Sequence, residues 1–166
     1  MYLLNLVRLK PGQGTYQPAG TLHSYLEGVD VEVMANSDNV LRGGLTHKHI
    51  DVPELIATLS FRDGRPPILE GRAASETGRE YETPAEEFAL ERIEIVPGTP
   101  YSAGRGHSAD CLILIEGAAA VIAGGRTLAL TRGASVMLPA ALSYSIAARS
   151  PRALLFKAGV PTSQGA

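Results

Sequence analysis

Apolar and polar residues alternate over positions 29–34, with Val29, Val31 and Val33 on one face and Asp30, Glu32 and Met34 on the other. That two-residue period predicts a strand with one covered face. Strands are also predicted over residues 3–9, 15–17 and 22–26. The cluster Asn36, Ser37, Asp38, Asn39 predicts a turn, and the glycine-rich run 41–45 an irregular loop. The period then changes. Leu55, Ile56 and Leu59 share one face of a short helix that Asp51 can cap, with Glu54 placed as in a capping box and Pro53 in the first turn. Residues 62–84 are rich in Gly, Pro, Arg and Glu without a period, which predicts a crossover or linker with little regular structure. From Phe88 onward short apolar runs return, punctuated by Pro97-Gly98, Gly117, Gly124-Gly125, Arg132-Gly133 and Ser150-Pro151. Gly124-Gly125 between runs 118–123 and 127–130 predicts a two-residue hairpin turn. Many short strands at this spacing predict an all-β sandwich or barrel.

Two stretches share a skeleton. Gly12, Pro18, Gly20 and His23 recur as Gly133, Pro139, Ala141 and Tyr144, each displaced by 121 positions. In the first copy Gly12 closes a turn after Pro11, and Pro18 and Gly20 bend the chain. His23 is then expected to point from the next strand into a barrel mouth, where an imidazole can hold a metal. This G-x5-P-x-G-x2-H run resembles the second sequence motif of the cupins. The resemblance implies a cupin-type jelly roll, with the C-terminal unit complete, the N-terminal unit partial and the short helix between them. A metal-bearing cupin takes its other ligands from upstream, and eleven residues precede Gly12, so the chain is expected to begin partway through a jelly roll. In the second copy tyrosine replaces the ligand histidine. Asp110 stands seven residues before Gly117, where a cupin's first motif would carry glutamate, and His107 lies near it without a His-x-His pair. The expected organisation is a part of the catalytic unit with its helix over 1–61, a linker over 62–84 and a metal-free second jelly roll, structural in role, over 85–162.

Composition narrows the function classes. With 166 residues, 45% of them apolar, and a net charge of −2, the chain has no charge bias toward nucleic acid. The single cysteine, Cys111, excludes an intrachain disulfide, and its apolar neighbours 112–115 predict a buried, inert thiol. Arg8 and Lys10 break the short apolar start, so no signal peptide is predicted. The longest apolar candidate, 112–123, is interrupted by Glu116 and Gly117, and nothing reaches the ~20 residues of a membrane span. A cytoplasmic location is the expectation.

His23 and Tyr25 share a strand face, and Glu32 lies on the polar face of the next strand. Arg42 and Lys48 add two cations suited to a sugar phosphate. Each residue has an ordinary alternative role: Tyr25 as a barrel residue satisfying its hydroxyl, Glu32 facing solvent, Arg42 and Lys48 as solvated loop charges. His47 and His49 flank Lys48 and give only a weak metal signal. The run from His23 through Tyr25, Glu32, Met34, Asn36, Asn39 and Arg42 to Lys48 closely resembles the signature of the type I mannose-6-phosphate isomerases. The flanking Asn5–Gly12 and Ile50–Leu55 segments extend the match, so that its specific part covers residues 3–61. The resemblance implies a zinc enzyme interconverting mannose 6-phosphate and fructose 6-phosphate, its metal held by a Gln, two His and a Glu. His23 matches the last histidine of that set, and the rest are expected outside this sequence. Arg42 matches an active-site arginine, Glu32 a carboxylate proposed in proton transfer, and Tyr25 and Lys48 substrate-pocket positions. His47 departs from the proline usual before that lysine. The polypeptide alone is accordingly expected to bind zinc weakly, to lack isomerase activity, and to expose a sheet edge near residues 2–34 that favours a homodimer. The alternative is a non-catalytic cupin module that binds a sugar phosphate or a partner chain.

Overall fold

The computed structural model describes residues 4–37, 40–44 and 46–161. Strand β1 (Gly14–Thr15) precedes helix α1 (Val52–Thr58), which is followed by β2 (Ile68–Leu69), β3 (Arg72–Ala73) and β4 (Gly78–Tyr81). Longer strands come next: β5 (Ala89–Ile95), the shorter β6 (Tyr101–Ala103), β7 (Asp110–Glu116), β8 (Ala118–Ala123) and β9 (Arg126–Thr131). The series ends with β10 (Ser135–Leu138), β11 (Tyr144–Ala148) and β12 (Ala153–Gly159). Two larger antiparallel sheets result, one ordered β10-β7-β12-β5-β4-β3 and the other β6-β11-β8-β9.

Alternation along the strands builds the core between these sheets. On the six-stranded sheet Ile93 and Ile95 of β5, Leu112 and Leu114 of β7, and Ala153 and Leu155 of β12 point inward. They meet Tyr101, Ala119, Val121, Leu130, Tyr144 and Ile146 from the four-stranded sheet. Ile93, Ile95, Leu112, Leu114, Ile146 and Leu155 are the largest wholly buried side chains, and each such burial stabilises the fold by ~1.5–3 kcal/mol. This is the jelly-roll sandwich predicted for the second unit. The Gly124-Gly125 hairpin also forms as predicted, with Ala123 paired to Arg126 across it.

The internal repeat is conformational as well as sequential. Gly12 and Gly133 share a left-handed backbone, with φ of 88° and 84°. The turn bonds correspond, Gln13 N–H donating to Lys10 O and Ala134 N–H to Thr131 O, both at 2.9 Å. Gly20 at φ 77° is matched by Ala141 at φ 62°, the one non-glycine residue with positive φ among the described residues. The repeat therefore imposes a glycine conformation on alanine. Ala141→Gly should raise stability by about 0.5–1 kcal/mol, the relief of left-handed strain less the extra freedom of the unfolded glycine, read as a higher urea midpoint at unchanged slope.

The first third of the chain differs from expectation. Residues 22–34 form no strand; β1 covers only Gly14–Thr15 and pairs with β2. The alternation survives locally, with Val31 and Val33 half-buried and Glu32 and Met34 exposed, but Val29 is 98% exposed. Alternation specifies faces, whereas a strand also needs a neighbour to accept its backbone hydrogen bonds. Residues 22–34 have none among those described, so the sheet edge expected to drive homodimerisation is absent there. Helix α1 does form, its Asp51 cap accepting a hydrogen bond from Glu54 N–H at 3.1 Å, although Ile56 is exposed and its apolar face is only partly covered. Segment 62–84 is more regular than predicted, because β3 and β4 extend the large sheet from β5. Cys111 is exposed: the alternation that buries Asp110, Leu112 and Leu114 turns it outward. Leu3, Asp38, Asn39, Leu45 and Thr162, parts of predicted elements, lie outside the described residues. Among the described residues no helix is long and apolar enough to cross a membrane.

Candidate functional site

The turn at Pro18 and Gly20 is anchored where Ser60 N–H, just past α1, donates to Gly20 O at 2.8 Å. His23 follows, exposed instead of enclosed in a barrel mouth, because no strands close around it among the described residues. Its Nδ1 lies 2.9 Å from Thr21 O, which makes that nitrogen the donor and leaves Nε2 as the lone-pair nitrogen. The ring stands edge-on to Tyr25, with centroids 5.9 Å apart. Tyr25 donates its hydroxyl to Glu32 Oε1 at 3.0 Å. Though 61% exposed, this phenol has its ionisation pushed up to about 12, by partial burial first and then by the Glu32 bond and the Glu32 and Asp30 charges. It is therefore a hydrogen-bond donor at any physiological pH. His23, Tyr25 and Glu32 thus lie together, although no strand carries them. Arg42 and Lys48 are exposed, and among the described residues neither side chain bonds to that group.

A zinc site needs three or four protein ligands. Among the described residues no cluster of three His, Cys, Asp or Glu side chains is suited to a metal ion. His23 can supply one ligand with its lone-pair nitrogen; the described residues by themselves do not fit zinc.

A second polar group lies inside the sandwich, and sequence reasoning missed half of it. Glu91 and Lys157 are cross-strand partners on β5 and β12, both facing inward. Lys157 Nζ reaches Glu91 Oε2 and the Tyr101 hydroxyl, each at 2.7 Å, and Tyr101 donates to Glu91 Oε2 at 2.9 Å. Gly78 on the neighbouring strand leaves the room that Glu91 Oε1 occupies. Burial pulls the Lys157 ammonium toward neutrality, but the Glu91 and Tyr101 bonds together outweigh it and hold it above its ordinary range. Burial also raises Tyr101, to about 12, against the opposing pull of Lys157. Beside this triad, Tyr144 donates to Asp110 Oδ2 at 2.7 Å, and His107 Nδ1 lies 3.1 Å from the same oxygen. The available signal was a charged residue at an inward position of an apolar alternating strand, in both β5 and β12.

Two packed antiparallel sheets, the repeated turn skeleton and a polar layer in the sandwich interior define a cupin jelly-roll protein. The sequence profile of the family described as "Mannose-6-phosphate isomerase, cupin domain" matches residues 77–147. The mannose-6-phosphate isomerase of Salmonella typhimurium is 40% identical over 140 residues, covering 83% of this chain and 35% of that protein. The human enzyme is 36% identical over 168 residues, covering 93% and 38%. Among solved structures, the Salmonella typhimurium enzyme bound to its substrate and a zinc atom superposes with a TM-score of 0.62 at 31% identity, covering 76% of this chain and 32% of that one. This chain is a cupin portion of the type I mannose-6-phosphate isomerase family. It spans about a third of the length of the curated relatives it matches.

Proposed function

We propose that this chain serves the interconversion of mannose 6-phosphate and fructose 6-phosphate, contributing part of a site completed by residues outside it. The observation that carries the reading is its likeness to a solved relative that holds substrate and zinc. Aldose–ketose isomerisation moves a proton between adjacent carbons, which requires a carboxylate able to take and return it, and a positive group for the developing oxyanion. Glu32 suits the first role, because Tyr25 holds Oε1 and orients the carboxylate, leaving Oε2 to face substrate. Arg42 suits the second or the phosphate, and Lys48 the phosphate. Zinc, as in the Salmonella enzyme, would take His23 as one ligand and draw the others from outside this chain. The second reading is a non-catalytic cupin module for a sugar phosphate or a partner chain. It is favoured by the tyrosine that replaces the ligand histidine in the second copy of the repeat.

A coupled assay for fructose 6-phosphate formation separates them. The expected result is no turnover by the chain alone with zinc, and turnover once the complementary portion of a family enzyme is supplied in trans. Complex formation without turnover would support the binding-module reading and sink the catalytic one.

A further inference from the structure

The accessible surface of this chain is 12046 Å², whereas a compact monomer of 17.5 kDa exposes about 7,900 Å². The excess, on the order of 4,000 Å², is several times the ~800 Å² that one partner gives to a standard interface. It is also unevenly placed. Of the eighteen exposed large apolar side chains among the described residues, twelve fall in residues 4–61. The surplus therefore belongs to the first unit, since the second closes over its own core. Leu6, Val29 and Phe61 are 73%, 98% and 81% exposed. The backbone of residues 22–34 is bare as well: among the described residues it makes no backbone–backbone hydrogen bond. Alternation is nevertheless present there, with Val31 and Val33 half-buried and Glu32 and Met34 exposed. Exposed apolar side chains beside unpaired N–H and C=O groups are what an added strand covers. The end of α1 adjoins the head of this segment, because Ser60 N–H donates to Gly20 O at 2.8 Å, and Phe61 follows directly.

We propose that residues 22–34, together with Phe61 past the end of α1, are a docking surface for the complementary portion of a type I mannose-6-phosphate isomerase. That portion adds a strand alongside 22–34 and covers Val29 and Phe61 with its own apolar side chains, fixing the segment as the strand its alternation encodes. Size selects the occupant. The curated relatives carry about two thirds of their length outside the match, and a surplus of this order suits a polypeptide that completes a core, where a second copy meeting at one patch would cover a fraction of it. The inference rests on the reading that the site at His23, Tyr25 and Glu32 is completed from outside the chain, and it adds where the completing polypeptide attaches.

The test co-produces the chain with the tagged portion of the Salmonella typhimurium enzyme that lies outside the match and measures how much of the chain is retained, without reading turnover. Retention should be one-to-one, with amide exchange at 22–34 slowed about 100-fold relative to the free chain. Val29→Asp and Phe61→Asp should each lower retention about 10-fold. Neither should move the free chain's urea midpoint, because both side chains are exposed in it. Met137→Asp, at an exposed position of the second unit, should leave retention unchanged. Absence of retention would overturn the proposal, as would retention that both substitutions leave intact or that leaves 22–34 exchanging freely. A stable homodimer of the free chain that Val29→Asp dissolves would overturn the choice of occupant. Retention without turnover would sink the catalytic reading and leave this surface standing.

Discussion

Glu91→Ala should destabilise the chain by about 3–5 kcal/mol, the cost of stranding a buried charge. The removed carboxylate accepts from both Lys157 and Tyr101, and the Lys157 side chain is only 18% exposed, so water cannot readily replace it. Chemical denaturation at neutral pH, followed by far-UV circular dichroism, measures the loss. Replacing the pair together, as Glu91→Leu with Lys157→Met, should recover much of it, because the penalty lies in the unpaired charge. The same triad sets an alkaline limit. Lys157 is raised in the folded state from its ordinary 10.5, and Tyr101 from 10.0 to about 12. A raised folded value contributes stability that is complete below the unfolded value and is lost as pH rises through the folded one. The unaltered chain should therefore weaken above about pH 10. In Glu91→Ala burial of Lys157 acts without its carboxylate, and the alkaline slope should flatten. A loss below about 1 kcal/mol would mean that the lysine finds another partner or reaches solvent.

Arg42→Ala should lower turnover in the complemented enzyme by about 10²–10³-fold, the usual cost of removing one donor to a developing oxyanion. Arg42 is exposed and joins no other described group in this chain, so the substitution should leave its stability unchanged. Comparing kcat with KM then assigns its role. A fall in kcat alone places the guanidinium on the enediolate, and a rise in KM alone places it on the phosphate. Unchanged kinetics would remove Arg42 from the site.

What could be read from the sequence followed from how local the relevant physics was. Turns and caps depend on a few neighbouring residues, so the Gly124-Gly125 hairpin, the Asp51 cap and the repeated turns at Gly12 and Gly133 are where the pattern places them. Tyr25 and Glu32 were legible as candidates for one polar site, though their hydrogen bond forms without the strand faces expected to carry them. Strands at 22–26 and 29–34 were not, since their ladders need partners that the described residues lack. Cys111 was misread because an all-apolar run conceals its own alternation. The Glu91–Lys157 pair needed the register of two strands separated by 66 positions. Local spacing cannot supply that register.

On the proposed reading the two units divide their labour, with His23 of the first serving as one zinc ligand and the second serving as a metal-free jelly roll. Isothermal titration of the purified chain with zinc tests this most directly. It should show only weak heats, without a stoichiometric step, reduced further by His23→Ala. Tight binding of one zinc per chain, abolished by His23→Ala, would mean that the chain holds a complete site and would contradict that division.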